Sequence, residues 1–279
     1  MSDEFAGLSA YLSRIGLNAP PDPDARGLAA LQRAHRLAVA FENLDIPLGR
    51  GISIDPNAIF DKLVTRQRGG YCFEQNGLFL RALQALGFDA RMLLARVWLM
   101  ADGVPPRTHC LALVRIADEE WIADAGFGAS YSPPMRLIEG AEYVAPDGTR
   151  HRLIIDPDHG WLLQRAGPAG ATDGRSEDHS DWQPQYSFTL DKVAPADLEI
   201  DNHWTSTRPD TRFTTLRVAS RILPDGFMSL LGRQLTTYRS GVSEIRELTG
   251  VPDAAKVLNE DFGIRLSLEE VERLGLFSG

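Results

Sequence analysis

Apolar positions recur with helical spacing through the first third of the chain. Phe5, Leu8, Leu12 and Ile15 fall on one face, and after a break at Pro20 to Pro23 a second stripe runs through Leu28, Leu31, His35 and Val39. Asp55-Pro56 has the form of an N-cap followed by proline in the first turn, and it opens a helix through Ile59, Phe60, Leu63 and Val64. A further helix is predicted to begin near Cys72, run through Leu78, Leu80, Leu83 and Leu86, and stop at Gly87. From about residue 88 the period shortens. Arg91 to Met100, Cys110 to Ile116, Trp121 to Ala125 and Arg152 to Leu163 read as strands bounded by Gly, Pro and Asp.

Residues 166 to 184 are poor in apolar side chains and rich in Gly, Ser, Asp and Pro, which predicts a loop or local boundary. Beyond it, Tyr186, Phe188 and Leu190 alternate as a strand would, and Ser267 with Glu270 forms a capping-box pattern for a last helix ending near Gly275. Helices, then antiparallel strands forming a small barrel or sandwich, then a mixed segment make an α+β order rather than a doubly wound sheet.

Composition narrows the function classes. A chain of 279 residues with 43% hydrophobic content can bury a substantial core. Its net charge of -9 gives no global attraction to nucleic acid or anionic lipid. The acidic start Met1-Ser2-Asp3-Glu4 lacks the basic and apolar regions of a secretory signal, and no stretch has the length of a membrane span. Cys72 and Cys110 are the two cysteines, too few for a disulfide framework or a Cys-rich zinc module. A cytoplasmic enzyme is the expectation, with no metal: neither a CxxC pair nor an HxxxH spacing occurs.

The segment Arg68-Gly69-Gly70-Tyr71-Cys72-Phe73-Glu74-Gln75-Asn76 puts a cysteine after a glycine pair at a helix start. Backbone N–H groups and the helix dipole there favour a thiolate and can hold an oxyanion; a free thiol, with a pKa of about 8.5, is only slightly ionised at neutral pH. A buried, inert Cys72 fits the composition equally well, so partners decide. His109, where a loop enters the strand Cys110 to Ile116, is a candidate base, and Asp124, closing the run Trp121 to Ala123, is a candidate carboxylate for it. If one hairpin turning near Asp118-Glu119 carries both, alternation gives them a shared face. Simple pairing, however, sets Asp124 opposite Leu113, so their contact does not follow from register alone. Cys110 faces away from His109 and is assigned a structural role.

These residues and their order resemble the arylamine N-acetyltransferase family. The pieces that carry the resemblance are Arg14-Ile15-Gly16, Phe41-Glu42-Asn43-Leu44, Arg68 to Asn76, Pro106 to His109 and Asp124 to Gly128, with later echoes at Pro195, Asn202 and Phe262-Gly263-Ile264. Ala40 and Ala125 stand where the resemblance leads one to expect proline and valine. The resemblance implies a helical bundle over residues 1–87, a central antiparallel β-barrel over 88–184 and an α/β lid over 185–279, around a papain-like cysteine-enzyme core. It implies Cys72, His109 and Asp124 as a catalytic triad, acetyl-CoA as co-substrate, and an arylamine or hydrazine as acceptor in a ping-pong cycle. Thr108, Gly126, Phe127, Gly128 and Trp204 match positions that line the cleft or contact coenzyme A, and Glu42 with Arg68 matches a structural ion pair. Papain-like proteases and transglutaminases order a Cys, His and Asp or Asn alike, so a hydrolase and a non-catalytic coenzyme A or aromatic-ligand binder stand as alternatives.

Overall fold

The computed structural model describes residues 5, 7–167 and 182–277, so most of the loop expected over 166–184 lies outside the described residues. The N-terminal third supplies α1 (Leu8–Arg14), α2 (Ala25–Ala38), the two-residue strand β1 (Phe41–Glu42), α3 (Pro56–Phe60) and α4 (Cys72–Ala85). Asp24 caps α2 by accepting from the Gly27 N–H at 2.7 Å, and Asp55 caps α3 through the N–H groups of Asn57 and Ala58. At its end α3 widens into a π-helical turn, Asp61–Thr65. Leu28, Leu31, Leu63, Phe79 and Leu83 are fully buried where these helices meet, and burial of each such side chain contributes about 1.5–3 kcal/mol.

The central sheet contains β2 (Asp89–Val97), β3 (Arg107–Ile116), β4 (Glu119–Ala123), β5 (Met135–Arg136), β6 (Glu142–Val144), β7 (Arg150–Asp156), β8 (Gly160–Ala166) and β9 (Gln183–Phe188). Its order is β5-β4-β3-β2-β9-β8-β7-β6, and each neighbouring pair of these strands is antiparallel. The Arg136 N–H of β5 donates to the Tyr143 hydroxyl of β6 at 3.1 Å, linking the two sheet edges of a nearly closed barrel. Then follow α5 (Pro195–Thr207), α6 (Arg212–Thr215), β10 (Val218–Leu223), β11 (Gly226–Leu231), β12 (Gln234–Arg239), β13 (Val242–Glu247), α7 (Val251–Lys256) and α8 (Leu268–Arg273). Ser267 and Glu270 form the expected capping box of α8.

Four sequence expectations change in detail. The run Arg152 to Leu163 is two strands, because Asp156 accepts from the N–H groups of Asp158 and His159 and turns the chain before Gly160, whose φ is +78°. Leu190 lies past the end of β9 and is 36% exposed. The division at 184/185 falls inside β9, which pairs with β2 and β8 and so belongs with the central sheet. The C-terminal sheet, ordered β1-β10-β11-β12-β13, takes its first strand from the N-terminal third. Phe41 and Glu42 thereby tie the segment beside the Gly70 turn to the last third of the chain.

Candidate active site

Cys72 is the first residue of α4, and the turn before it is built by close packing. A side-chain carbon on Gly69 would lie 2.4 Å from the Ala40 carbonyl oxygen, and one on Gly70 would lie 2.9 Å from Glu74 Oε2. The glycine pair therefore lets this turn press against β1 and α4; neither residue has positive φ. Glu74 Oε2 accepts the Tyr71 N–H at 3.0 Å, fixing the helix entrance, and the Tyr71 hydroxyl donates to Asn202 Oδ1, docking α5 alongside.

The β3–β4 hairpin delivers the other two residues. Its register pairs Leu113 with Ile122 and Ile116 with Glu119, so the turn is at Ala117-Asp118, one residue earlier than expected. That shift carries Asp124 two positions nearer to His109. The ladder then stops at Ala123, because the next two N–H groups leave it: Asp124 N donates to Gln32 Oε1 and Ala125 N to Asn76 Oδ1, each at 2.9 Å. The chain bends there, and Asp124 Oδ2 meets His109 Nε2 at 2.7 Å.

Both side chains are buried, and Asp124 Oδ1 also accepts from Asn76 Nδ2 at 3.0 Å and the Gly126 N–H at 2.8 Å. Burial alone would push the Asp124 carboxyl up, but His109 and these donors outweigh it and hold its pKa below the usual carboxylate value. Because an ionised carboxylate only accepts, Nε2 of His109 carries hydrogen, and Nδ1 is the ring nitrogen that can take a proton from Cys72. Phe127 and Tyr186 pack on the imidazole, with ring centroids at 5.0 and 5.1 Å.

The Cys72 thiol lies 3.5 Å from the carbonyl oxygen of Thr108, the residue before His109. Burial pushes this thiol up, and the Asp124 charge adds to the shift, while the N–H groups of Phe73 and Cys72 pull it partly back. The N–H groups at the helix entrance thus favour the thiolate, as the sequence leads one to expect, while burial opposes it. Cys110 does face away from His109, yet it lies beneath Cys72, its Sγ 3.6 Å from the Cys72 carbonyl oxygen, and both thiols are free.

Cys72 and His109 open on a cavity of about 390 Å³. Thr108, Gly126, Phe127, Gly128 and Trp204, all singled out in the sequence, line it, and Asp124 stands behind His109 rather than on the wall. Gly126 is there for close approach: a side-chain carbon would lie 2.8 Å from Asn76 Nδ2 and 2.9 Å from the Cys72 Cα. Sequence reasoning missed Phe41, Val97, Leu99 and Phe213 on the cavity wall and gave Gln32, Arg36 and Asn76 no role around Asp124. Asn76 sits one helical turn after Cys72, which was a usable signal. The arrangement can deprotonate a thiol and shelter an acyl group from water beside an apolar surface. No cluster of His, Cys, Asp and Glu suited to a metal occurs among the described residues, and no described helix is long and apolar enough to cross a membrane.

A cysteine and a carboxylate-bound histidine opening on one cavity fit a cysteine acyl-transfer class of site, and comparisons with known proteins make the class specific. A family model described as N-acetyltransferase matches residues 24–271. The arylamine N-acetyltransferase of Escherichia coli is 37% identical over 261 residues, covering 92% of this chain and 88% of the relative. The solved structure of the Salmonella typhimurium arylamine N-acetyltransferase superposes with a TM-score of 0.88 at 35% identity, covering 96% of this chain and 97% of the other. That of the Mycobacterium marinum enzyme in complex with CoA gives 0.86 at 32% identity, covering 96% and 98%. The chain belongs to the arylamine N-acetyltransferase family.

Proposed function

We propose that this chain transfers an acetyl group from acetyl-CoA to an arylamine or hydrazine, with Cys72 carrying the acetyl group between two half-reactions. The observation that carries this reading is the 2.7 Å contact between His109 Nε2 and Asp124 Oδ2, at the base of an apolar cavity that Cys72 shares. In the first half-reaction His109 Nδ1 takes the Cys72 proton and the thiolate attacks the acetyl carbonyl of acetyl-CoA. The tetrahedral adduct collapses, the carbon–sulfur bond to coenzyme A breaks, and His109 returns the proton to the departing thiolate. In the second, the amine attacks acetyl-Cys72, His109 takes the amine proton, and Cys72 leaves as thiolate. Asp124 holds the imidazole in the required tautomer and stabilises its charged form.

Phe127, between Gly126 and Gly128, presents an aromatic face for the acceptor ring. Trp204 and Thr108 at the wall of the same cavity suit the pantetheine arm of coenzyme A. Family membership favours this transferase over the hydrolase reading. An acceptor panel with acetyl-CoA, followed by release of free coenzyme A, tests it: release beyond one equivalent per enzyme should depend on added arylamine or hydrazine, and all release should vanish in Cys72→Ala. Amine-independent release with free acetate as product would contradict the transferase assignment.

A further inference from the structure

Helix α2 carries three polar side chains, Gln32, His35 and Arg36, that are buried to 2% exposure or less. Their spacing places them on one face of the helix. Burying three such groups is costly unless each is hydrogen-bonded, and their bonds go to the segments that hold the triad. Gln32 Oε1 accepts the Asp124 N–H at 2.9 Å, while its Nε2 donates to the Ser132 carbonyl at 2.7 Å. Arg36 donates to the carbonyl oxygens of Ala125 at 3.3 Å and Ser130 at 3.1 Å, and also to that of Gly128. Together they brace the turn after Asp124 at both ends and in the middle.

His35 reaches the other half of the site. Its Nε2 is 3.3 Å from Gln75 Oε1, and Gln75 Nε2 donates to the Gly70 carbonyl at 2.7 Å. An amide oxygen only accepts, so Nε2 of His35 carries the hydrogen, and Nδ1 accepts from the Tyr11 hydroxyl at 2.8 Å. Burial, reinforced by the charge of Arg36, drives the His35 pKa down to about 3, in keeping with this neutral tautomer. The Gly70 carbonyl also accepts from the Glu42 N–H at 3.1 Å, and the N–H of the same peptide group, that of Tyr71, is held by Glu74. The Gly70–Tyr71 peptide, one residue ahead of Cys72, is therefore clamped on both edges, and one clamp is set by α2.

We propose that α2 is the positioning element of the triad: Gln32 and Arg36 set the Asp124 turn, and His35, acting through Gln75, sets the peptide that aims Cys72. The nucleophile and the aspartate come from separate elements, α4 and the end of β4, and a single rigid helix reads the position of both. These residues do not touch the reacting atoms. They act through the alignment of Cys72, His109 and Asp124, on which proton transfer from the thiol depends.

The test is the pH profile of Cys72 alkylation by iodoacetamide, with single-turnover acetylation by acetyl-CoA and thermal unfolding on the same samples. Gln32→Leu and His35→Phe should lower the alkylation rate at neutral pH by about ten- to a hundredfold and move the profile to higher pH. His35→Gln keeps one acceptor and one donor and should recover most of the rate. Arg36→Lys, which keeps the charge but loses the fork that spans three carbonyls, should slow acetylation more than it lowers the melting temperature. If His35→Phe does not fold, Gln75→Met breaks the same chain one residue later and carries the comparison. Folded variants with the wild-type alkylation rate and pH profile, differing only in melting temperature, would overturn the proposal and leave α2 a structural helix.

Discussion

Beneath the nucleophile turn, Glu42, Asp45, Lys62, Arg68 and Glu74 form a closed set of buried ion pairs; at its front, Cys72, His109 and Asp124 form an open one. In the closed set Arg68 binds Glu42 at 2.7 Å and Asp45 at 3.1 Å, and Lys62 binds Asp45 at 2.8 Å and Glu74 at 2.7 Å. Arg50 completes the charge balance on Asp45 at 3.4 Å. Every member has its partner, so the set can hold three chain segments together but has no group left to react. In the open set Asp124 is saturated by three donors and His109 is engaged on one ring nitrogen, while the thiol faces a cavity. Under the proposed function, reactivity follows from which set is left incomplete, since both are buried and both contain carboxylates.

The largest effect that separates the two sets should come from the open one. His109→Ala and Asp124→Asn should each lower single-turnover acetylation by at least about a thousandfold while melting as cooperatively as wild type. A variant of either kind with near-normal acetylation would remove the distinction. Next in size, Arg68→Met in the closed set leaves Glu42 and Asp45 short of a partner and should cost about 3–5 kcal/mol in urea unfolding. Its residual activity should track the folded fraction; a fully folded but inactive protein would place Arg68 in the chemistry.

Smaller, and divided between α2 and β7, is an acid sensitivity. Burial lowers the pKa of His35 and of His151 to about 3 each, against about 6.5 in an unfolded chain. Between those values the unfolded state binds more protons than the folded one, so stability falls as pH falls below about 6.5. Lowering the pH from 6.5 to 5 should cost about 2 kcal/mol for each histidine, measured as the shift in the urea midpoint, and His151→Phe should lose its share of the slope. A midpoint flat over that range would show that neither histidine is held neutral. The smallest effect is expected at Cys110. Cys110→Ser keeps a donor toward the Cys72 carbonyl and should change turnover by no more than about twofold at a stability cost of about 1 kcal/mol. Loss of acetylation in a folded Cys110→Ser protein would assign this thiol to the reaction.

The closed and open sets were not equally legible in the sequence. Cys72 stands at a helix start that the glycine pair and the following leucines mark, and the capped starts at Asp55 and Ser267 follow from local chemistry. The meeting of His109 and Asp124 was not derivable from alternation, because it depends on Gln32 and Asn76 taking the N–H groups of Asp124 and Ala125 from the ladder. Those two side chains come from separate helices, and no local pattern records their reach. The burial that pushes the Cys72 thiol up was hidden for the same reason: it is set by β3 packing beneath α4. Likewise β1 is two residues long and finds its partner β10 from a segment about 180 positions later, too brief a run for periodicity to show.

The central claim is that the open set makes Cys72 an acetyl carrier. Intact-protein mass spectrometry after mixing with acetyl-CoA alone tests it most directly, with Cys72→Ala as control. The account predicts one acetyl group on Cys72, a stoichiometric burst of free coenzyme A, and an acetyl-Cys72 that persists against water but discharges rapidly when an arylamine is added. Acetyl transfer to the amine at full single-turnover rate with no acetyl-Cys72 formed on that time course would contradict it.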